Sequence, residues 1–254
     1  MSDLPHPGTR IWITGASSGI GKAMLEALAG QDVRAIGVAR NDRPALAGQP
    51  LDLDWLRADL ATSAGWAVVG DSFERELQAA AGGRAILVHA AGTAAPLSNA
   101  SHADPRTYEE AVLLNYASPA ILGQRFLRAA RLHAVSAQVL HVTTGTTTGS
   151  YPGWSIYRPG KAAINEWVTT VGGELPLDAQ EPDFAVYAVA PGGTDTPMQA
   201  VVRAADASGF PRVEKFRELA AEGALRDPAE VAVQLWSLIG GRLSSGDVVD
   251  VRDL

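Results

Sequence analysis

The chain has 254 residues, 46% of them hydrophobic and 19% charged, with a formal net charge of −7 and no cysteine. This length and apolar fraction suit one packed α/β domain and exclude a disordered chain. The acidity speaks against a nucleic-acid footprint, which needs a clustered basic face, and the missing cysteines exclude disulfides, thiolate metal sites and a cysteine nucleophile.

In chain order, Met1 to Gly8 carries neither the basic region nor the apolar core of a secretory leader. No run approaches the ~18 apolar residues of a membrane span, so a cytoplasmic protein with no membrane partner is expected. Ile11-Trp12-Ile13 then runs into Thr14-Gly15-Ala16-Ser17-Ser18-Gly19-Ile20-Gly21, followed by an amphipathic helix through Ala23, Leu25, Ala27 and Leu28. A buried strand that turns tightly into a helix N-terminus aims backbone N–H groups and the positive helix end at one spot, which is an anion site. Gly15 permits the turn, Gly19 admits a pyrophosphate, and Gly21 lets the helix pack close to the strand.

Val33 to Ala39 reads as a second buried strand. At its tip an acid would bind the ribose 2′-OH of NAD, whereas an arginine accommodates the 2′-phosphate of NADP. Arg40 stands there, so NADPH/NADP+ is the expected cofactor; the alternative is a surface arginine in a turn. Trp55 to Leu60 reads as a short third strand. Asp59 at its end either meets the adenine amino group or caps the helix that starts near Thr62. Trp66, Val68, Val69, Phe73 and Leu77 give that helix a core-facing stripe.

Ala85 to Gly92 is a nearly all-apolar fourth strand, as a parallel strand covered on both faces should be. Its small end, Ala90-Ala91-Gly92, lets a flat ligand lie against the backbone. A long helix is expected over about 105–133. Asn115 lies inside it, and a poor helix former there either has a task for its amide or lies on the surface. Gln138 to Thr144 is the fifth strand, and a helix follows over about 155–175. Tyr157 and Lys161 sit on one face of it, four residues apart. Phe184 to Ala190 is the sixth strand and runs into Pro191-Gly192-Gly193-Thr194-Asp195-Thr196. A mixed segment follows to Leu225. Asp227 as N-cap and Pro228 at the first helical position open a final helix, and Asp247 to Val251 is the last strand. Alternating strands and helices without repeat or linker mean a single-domain Rossmann-type doubly wound parallel sheet of about seven strands, with helices on both faces.

Together these motifs resemble the short-chain dehydrogenase/reductase family over essentially the whole chain. The residues that carry the resemblance are the glycine turn, Asp59, His89-Ala90-Ala91-Gly92, Asn115, Thr144, Tyr157-x-x-x-Lys161 and Pro191-Gly192-x-x-x-Thr196. The sepiapterin reductase and benzil reductase branch is nearest, on Gly153-Trp154-Ser155-Ile156-Tyr157-Arg158-Pro159-Gly160-Lys161, Ala190 to Gln199, and Ser245 to Asp250. That branch reduces ketones, often vicinal dicarbonyls, with NADPH. Hydride transfer to a carbonyl builds negative charge on oxygen, and a proton must arrive there. A tyrosine can supply it, but its reference pKa is ~10 and needs a nearby cation to fall.

The resemblance implies that Tyr157 is the proton donor and Lys161 tunes it and bonds the nicotinamide ribose. Asn115 then supports a water relay. Thr144 stands where the family usually has serine; its hydroxyl can still donate to the carbonyl, although Thr143 and Thr146 are nearby alternatives. It also implies cofactor contacts from Ser17, Ser18 and Ile20 beside the glycines, from Asp59 and Leu60, from Ala90, Ala91 and Gly92, and from Pro191, Gly192, Thr194 and Thr196. His89 and Ala90 replace asparagines common in the family; for His89, core packing is the simpler reading. Asp250 matches either a pterin anchor or a structural aspartate. Tyr151, Trp154, Met198 and Phe210 are expected to wall an apolar substrate pocket under a mobile lid at about 196–225. A small carbonyl substrate, no metal, and a homo-oligomer (dimer or tetramer) formed through the helices flanking the fifth strand complete the expectation. The oxidative direction and a non-catalytic NADP(H) sensor are the competing readings.

Overall fold

The computed structural model describes residues 5–147, 149–175, 183–241 and 243–254. Among them, seven strands form one sheet: β1 (Arg10–Thr14), β2 (Arg34–Ala39), β3 (Asp52–Arg57), β4 (Arg84–His89), β5 (Ser136–Val142), β6 (Phe184–Ala190) and β7 (Val248–Asp250). The strand order is β3-β2-β1-β4-β5-β6-β7 and every neighbouring pair is parallel. Eight α-helices accompany it: α1 (Gly19–Glu26), α2 (Ser63–Gln78), α3 (Pro105–Val112), α4 (Ser118–Leu132), α5 (Tyr157–Glu174), α6 (Pro197–Arg203), α7 (Val213–Ala221) and α8 (Pro228–Ile239). The doubly wound parallel sheet is therefore as the sequence predicts.

Strand alternation sends each side chain to one of two cores. Ile11 and Ile13 of β1 pack with Leu25 and Leu28 near α1 and with Leu235 and Trp236 of α8. Trp12 faces the other way, into Phe73 of α2 and Phe126 of α4. These three rings meet edge to face at 5.3, 5.6 and 5.1 Å between centroids, a geometry worth ~0.5–1.5 kcal/mol per pair beyond burial. Trp12 Nε1 donates to Ser72 Oγ at 3.0 Å, so the largest core side chain leaves no polar atom unpaired. On the opposite face Trp236 Nε1 donates to the Met24 carbonyl at 3.0 Å and ties α8 to α1.

Several boundaries differ from the sequence reading; the fourth strand is Arg84–His89, so Ala90, Ala91 and Gly92 follow it rather than end it. The third strand is Asp52–Arg57 rather than 55–60. Arg34 of β2 binds Asp52 (3.1 Å), Asp54 (3.7 Å) and Glu76 of α2 (2.7 Å), which registers a polar strand start that no apolar run announces. The helix expected over 105–133 is two helices separated by one wide π-type turn, Leu113–Ala117, centred on Asn115; such turns concentrate at functional sites. The fifth strand stops at Val142; Thr143 N–H still donates to the Val189 carbonyl of β6 at 2.9 Å, and Thr144 lies beyond the strand. Thr62 rather than Asp59 caps α2, accepting from Gly65 N–H (3.0 Å), whereas Asp227 caps α8 as expected, accepting from Ala229 N–H (2.7 Å).

Phe126→Ala removes one member of the aromatic trio. It is expected to lower the unfolding free energy by ~3–5 kcal/mol, seen as a lower urea midpoint with an unchanged slope.

Candidate active site

The crossover direction reverses between β1 and β4, so their C-terminal ends open a crevice. Gly15 stands there at φ +69°, and a Cβ on it would lie 2.9 Å from the Ala91 backbone. A side chain is excluded by conformation and by contact together. Thr14 Oγ1 accepts from Ala91 N–H at 3.2 Å and locks the β1 turn to the end of β4. A Cβ on Gly21 would fall 2.5 Å from the Gly15 carbonyl, so α1 packs on its own turn. Ser18, in extended conformation, precedes α1, whose first turn holds no acidic residue. The exposed Ser18, half-buried Ser17 and the backbone at Ile20 thus surround an anion cradle.

The other predicted cofactor residues divide. Thr196 packs its methyl against the turn, 3.2 Å from where a Gly19 Cβ would stand, and caps α6 by accepting from Gln199 N–H at 3.3 Å. Pro191, Gly192 and Thr194 continue from β6 beside it; Thr194 Oγ1 donates to the Gly192 carbonyl at 3.4 Å. Arg40 is exposed at the tip of β2, with no acid partner among the described residues. Asp59 is exposed; its carboxylate accepts from Ala61 N–H at 3.0 Å, while Thr62 is the helix cap. Leu60 turns its side chain into the core, and its carbonyl accepts from Trp66 Nε1 at 2.7 Å. The cradle and the small residues that follow β4 fit a dinucleotide.

Opposite the turn, Tyr157 opens α5. Burial raises its phenol above the ordinary tyrosine value, and a hydrogen bond with Thr144 lowers it. Thr144 is half-buried, 3.1 Å from the Thr146 hydroxyl. Thr143 points elsewhere, donating to Asn165 Oδ1 at 2.7 Å; this separates Thr144 from its neighbour as the residue facing Tyr157. Lys161, one turn on, donates from Nζ to the Val142 carbonyl at 2.6 Å. Burial pushes its ammonium down to about 8. The sequence reading expects this lysine to depress the tyrosine; in this structure burial dominates at Tyr157.

Asn115 is buried, and its amide is doubly engaged: Oδ1 accepts from Thr93 N–H and Nδ2 donates to the Thr93 carbonyl, each at 2.8 Å. Its task is thus to pin the loop after β4. A Cβ on Gly92 would stand 3.1 Å from Asn115 Oδ1, 3.8 Å from Lys161 Nζ and 3.9 Å from the Met198 methyl, so those four positions converge.

The predicted pocket walls also converge. Trp154 lies 4.9 Å from Tyr157, 5.6 Å from Tyr151 and 4.9 Å from Phe210, ring centre to ring centre. Met198 packs on the same cluster. Phe216 of α7 joins at 5.4 Å and escaped the sequence reading, although Val213 and Phe216 share a helix face. A cleft of about 460 Å³ runs between Tyr151, Trp154, Arg158 and the 208–211 segment. Asp250 is held by Arg252 through both carboxylate oxygens, at 2.8 and 2.6 Å, which favours the structural reading of that aspartate. Among the described residues no cluster of His, Asp or Glu could hold a metal, and no helix is long and apolar enough to cross a membrane.

A glycine-rich turn at the switch point of a doubly wound sheet, faced by Tyr157 and Lys161 on one helix, defines a Rossmann-type dehydrogenase. The profile of the family described as short chain dehydrogenase matches residues 9–207, and the chain belongs to that family of oxidoreductases. It is 29% identical to a benzil reductase ((S)-benzoin forming) of Bacillus subtilis over 246 residues, 95% of this chain and 97% of the relative. It is 31% identical to a sepiapterin reductase of Meriones unguiculatus over 263 residues, 95% of each chain. A solved short chain dehydrogenase/reductase from Saccharomyces cerevisiae superposes with TM-score 0.77 at 23% identity over 96% of both chains, which shows the shared fold.

Lys161 is less basic folded than its ordinary 10.5. Burying it therefore carries a penalty that is full below about pH 8 and fades as pH rises towards 10.5. Lys161→Met should raise the unfolding free energy at pH 7 by at most on the order of 3 kcal/mol, with the gain gone in urea melts at pH 10.5. A variant less stable than wild type at pH 7 would show that the Val142 bond outweighs desolvation.

Proposed function

We propose that this protein is an NADPH-dependent carbonyl reductase for small ketones, vicinal dicarbonyls among them. The observation that carries the reading is Tyr157 one helical turn before Lys161 on α5, hydrogen-bonded to Thr144 and facing an aromatic wall. The names of the Bacillus and Meriones relatives, a benzil and a sepiapterin reductase, support a ketone substrate.

In this reading the β1–α1 turn holds the pyrophosphate, Arg40 pairs with the 2′-phosphate, and Ala90 to Gly92 with Thr194 and Thr196 flank the nicotinamide. The bound dinucleotide supplies hydride. Thr144 orients the substrate oxygen by a hydrogen bond, and Tyr157 delivers the proton to that oxygen. Lys161 places a positive charge where the phenolate forms, and stabilising a developing charge from a fixed donor is usually the largest catalytic contribution. Asn115 holds the loop after β4 in register with Lys161. Tyr151, Trp154, Met198 and Phe210 exclude water, with α6 and α7 acting as the lid. Assembly through α4 and α5 as a dimer or tetramer completes the proposal.

Loss of absorbance at 340 nm with NADPH and with NADH, against aromatic and vicinal diketones, aldehydes and sepiapterin, tests the reading. Tyr157→Phe should lose ~10²–10⁴-fold in kcat and keep its NADPH affinity; near-full activity would remove Tyr157 from the mechanism. Arg40→Asp should raise KM for NADPH by ~10–100-fold, the equivalent of one charge-assisted phosphate contact. It should leave kcat nearly unchanged and improve NADH. An unmoved preference would place the cofactor selection elsewhere.

A further inference from the structure

The end of the chain lies against the loop that carries Thr144, and the proposed mechanism does not use it. After β7 the chain closes a short 3₁₀ turn, Val251–Asp253, with Val251 buried in the core. Asp250 opens that turn. Its carboxylate accepts from Arg252 N–H at 3.0 Å, from Arg252 Nε at 2.8 Å and from Arg252 Nη2 at 2.6 Å. The Asp250 side chain is 12% exposed and that of Arg252 64%. Two-pronged pairing of this kind fixes the geometry of both partners and makes a flat plate of carboxylate and guanidinium.

The plate lies on Gly145, the residue after Thr144. A Cβ on Gly145 would collide with Asp250 Oδ2 and stand 2.6 Å from Arg252 Nη2. Gly145 is not one of the glycines with positive φ, so its bare backbone serves this contact rather than an unusual conformation. The stem of Arg252 reaches on to the loop after β6, where its Cγ and Cδ would lie 3.7 Å from a Cβ on Gly192. Arg252 thus touches both loops that leave β5 and β6 at the crevice. From α5, Arg158 Nε donates to the Thr146 carbonyl and holds the far end of the same turn. Inside the turn, Thr146 N–H donates to Thr144 Oγ1 at 3.3 Å, and the two hydroxyls are 3.1 Å apart.

We propose that Asp250 and Arg252 are positioning residues for Thr144: their plate packs over Gly145 and holds the 144–146 turn so that the Thr144 hydroxyl stays on Tyr157. The physical logic is the end of the ladder. Thr143 N–H still donates to the Val189 carbonyl at 2.9 Å, and among the described residues no backbone hydrogen bond ties 144–147 to a strand. Ordering such a segment costs chain entropy, so side-chain contacts must do what strand pairing does elsewhere. An exposed ion pair between residues two apart contributes little to overall stability, and the effect of this one is therefore local. The inference rests on the carbonyl-reductase reading in so far as Thr144 orients the substrate oxygen.

The test follows benzil reduction with NADPH in Arg252→Ala. Its kcat should fall on the order of 10-fold, below the ~10²-fold loss that a 1 Å misplacement brings. KM for NADPH should be unchanged and the urea midpoint nearly unmoved. In a Thr144→Val background Arg252→Ala should cost nothing further, because residues that act through one another do not add. Asp250→Asn keeps an acceptor for the turn and weakens the fork; it should give a smaller loss that also vanishes in that background. An unchanged kcat, an effect confined to KM for NADPH, or a loss that persists without the Thr144 hydroxyl would overturn the proposal. A second arm needs no turnover. In ¹³Cζ-tyrosine spectra at pH 7 the Tyr157 resonance, identified by its absence from Tyr157→Phe, should move in Arg252→Ala in the direction that Thr144→Val moves it. The double variant should move it no further than Thr144→Val alone. A resonance that ignores Arg252 would overturn the proposal equally. If the wild-type protein turns over no carbonyl compound, the reductase reading fails while this spectroscopic arm still decides whether the pair holds Thr144.

Discussion

The contact between the β1–α1 turn and the end of β4 is the constraint on which the site depends. Gly15 presses on the Ala91 backbone, and Thr14 accepts the Ala91 N–H. Both strands are central, and chain crossovers leave them in opposite directions, so this is where the sheet cannot be covered by a helix. A side chain at position 15 would push the strand ends apart and spoil the crevice. Every other site residue is placed by reference to that edge: Gly92 by continuing β4, Asn115 by pinning Thr93, Lys161 by reaching the Val142 carbonyl at the end of β5.

The second organising principle is desolvation. The layer between the β4–β5 edge and helices α4 and α5 is polar where an apolar core would be more stable. Lys161, Asn115, Ser118, His89, His141 and Thr143 are all buried there. Some are paired well, as Asn115 is with Thr93; others are paired poorly, as His141 is. Such a layer lowers stability, and proteins retain that kind of strain where chemistry needs a preorganised field. The aromatic cluster around Trp154 has the opposite character. It packs against the ring of Tyr157 with rings from the loop before α5 and from α7, so these segments are coupled through one aromatic group.

Much of this was legible in the residues. The glycine turn, the parallel strands and the Tyr157–Lys161 spacing each follow from local rules of turn geometry and periodicity, and the structure agrees with them. The start of β3 was not legible, because an ion-pair cluster around Arg34 rather than an apolar run registers that edge strand. His141 was hidden as a buried polar residue in a strand whose other residues read as core or edge positions.

The sequence alone determined the fold class and the family, because strand alternation, helix caps and glycine positions act within a few residues of themselves. Only the tertiary structure decided which of Thr143, Thr144 and Thr146 hydrogen-bonds Tyr157. It alone brought the Asn115 amide to Thr93 and gathered Phe210 and Phe216 around Trp154. It also set two histidines, 52 positions apart in the chain, side by side on neighbouring strands. Those outcomes depend on strand register and helix packing, which join residues far apart in sequence, and on burial, which decides whether an ionisable group carries its charge.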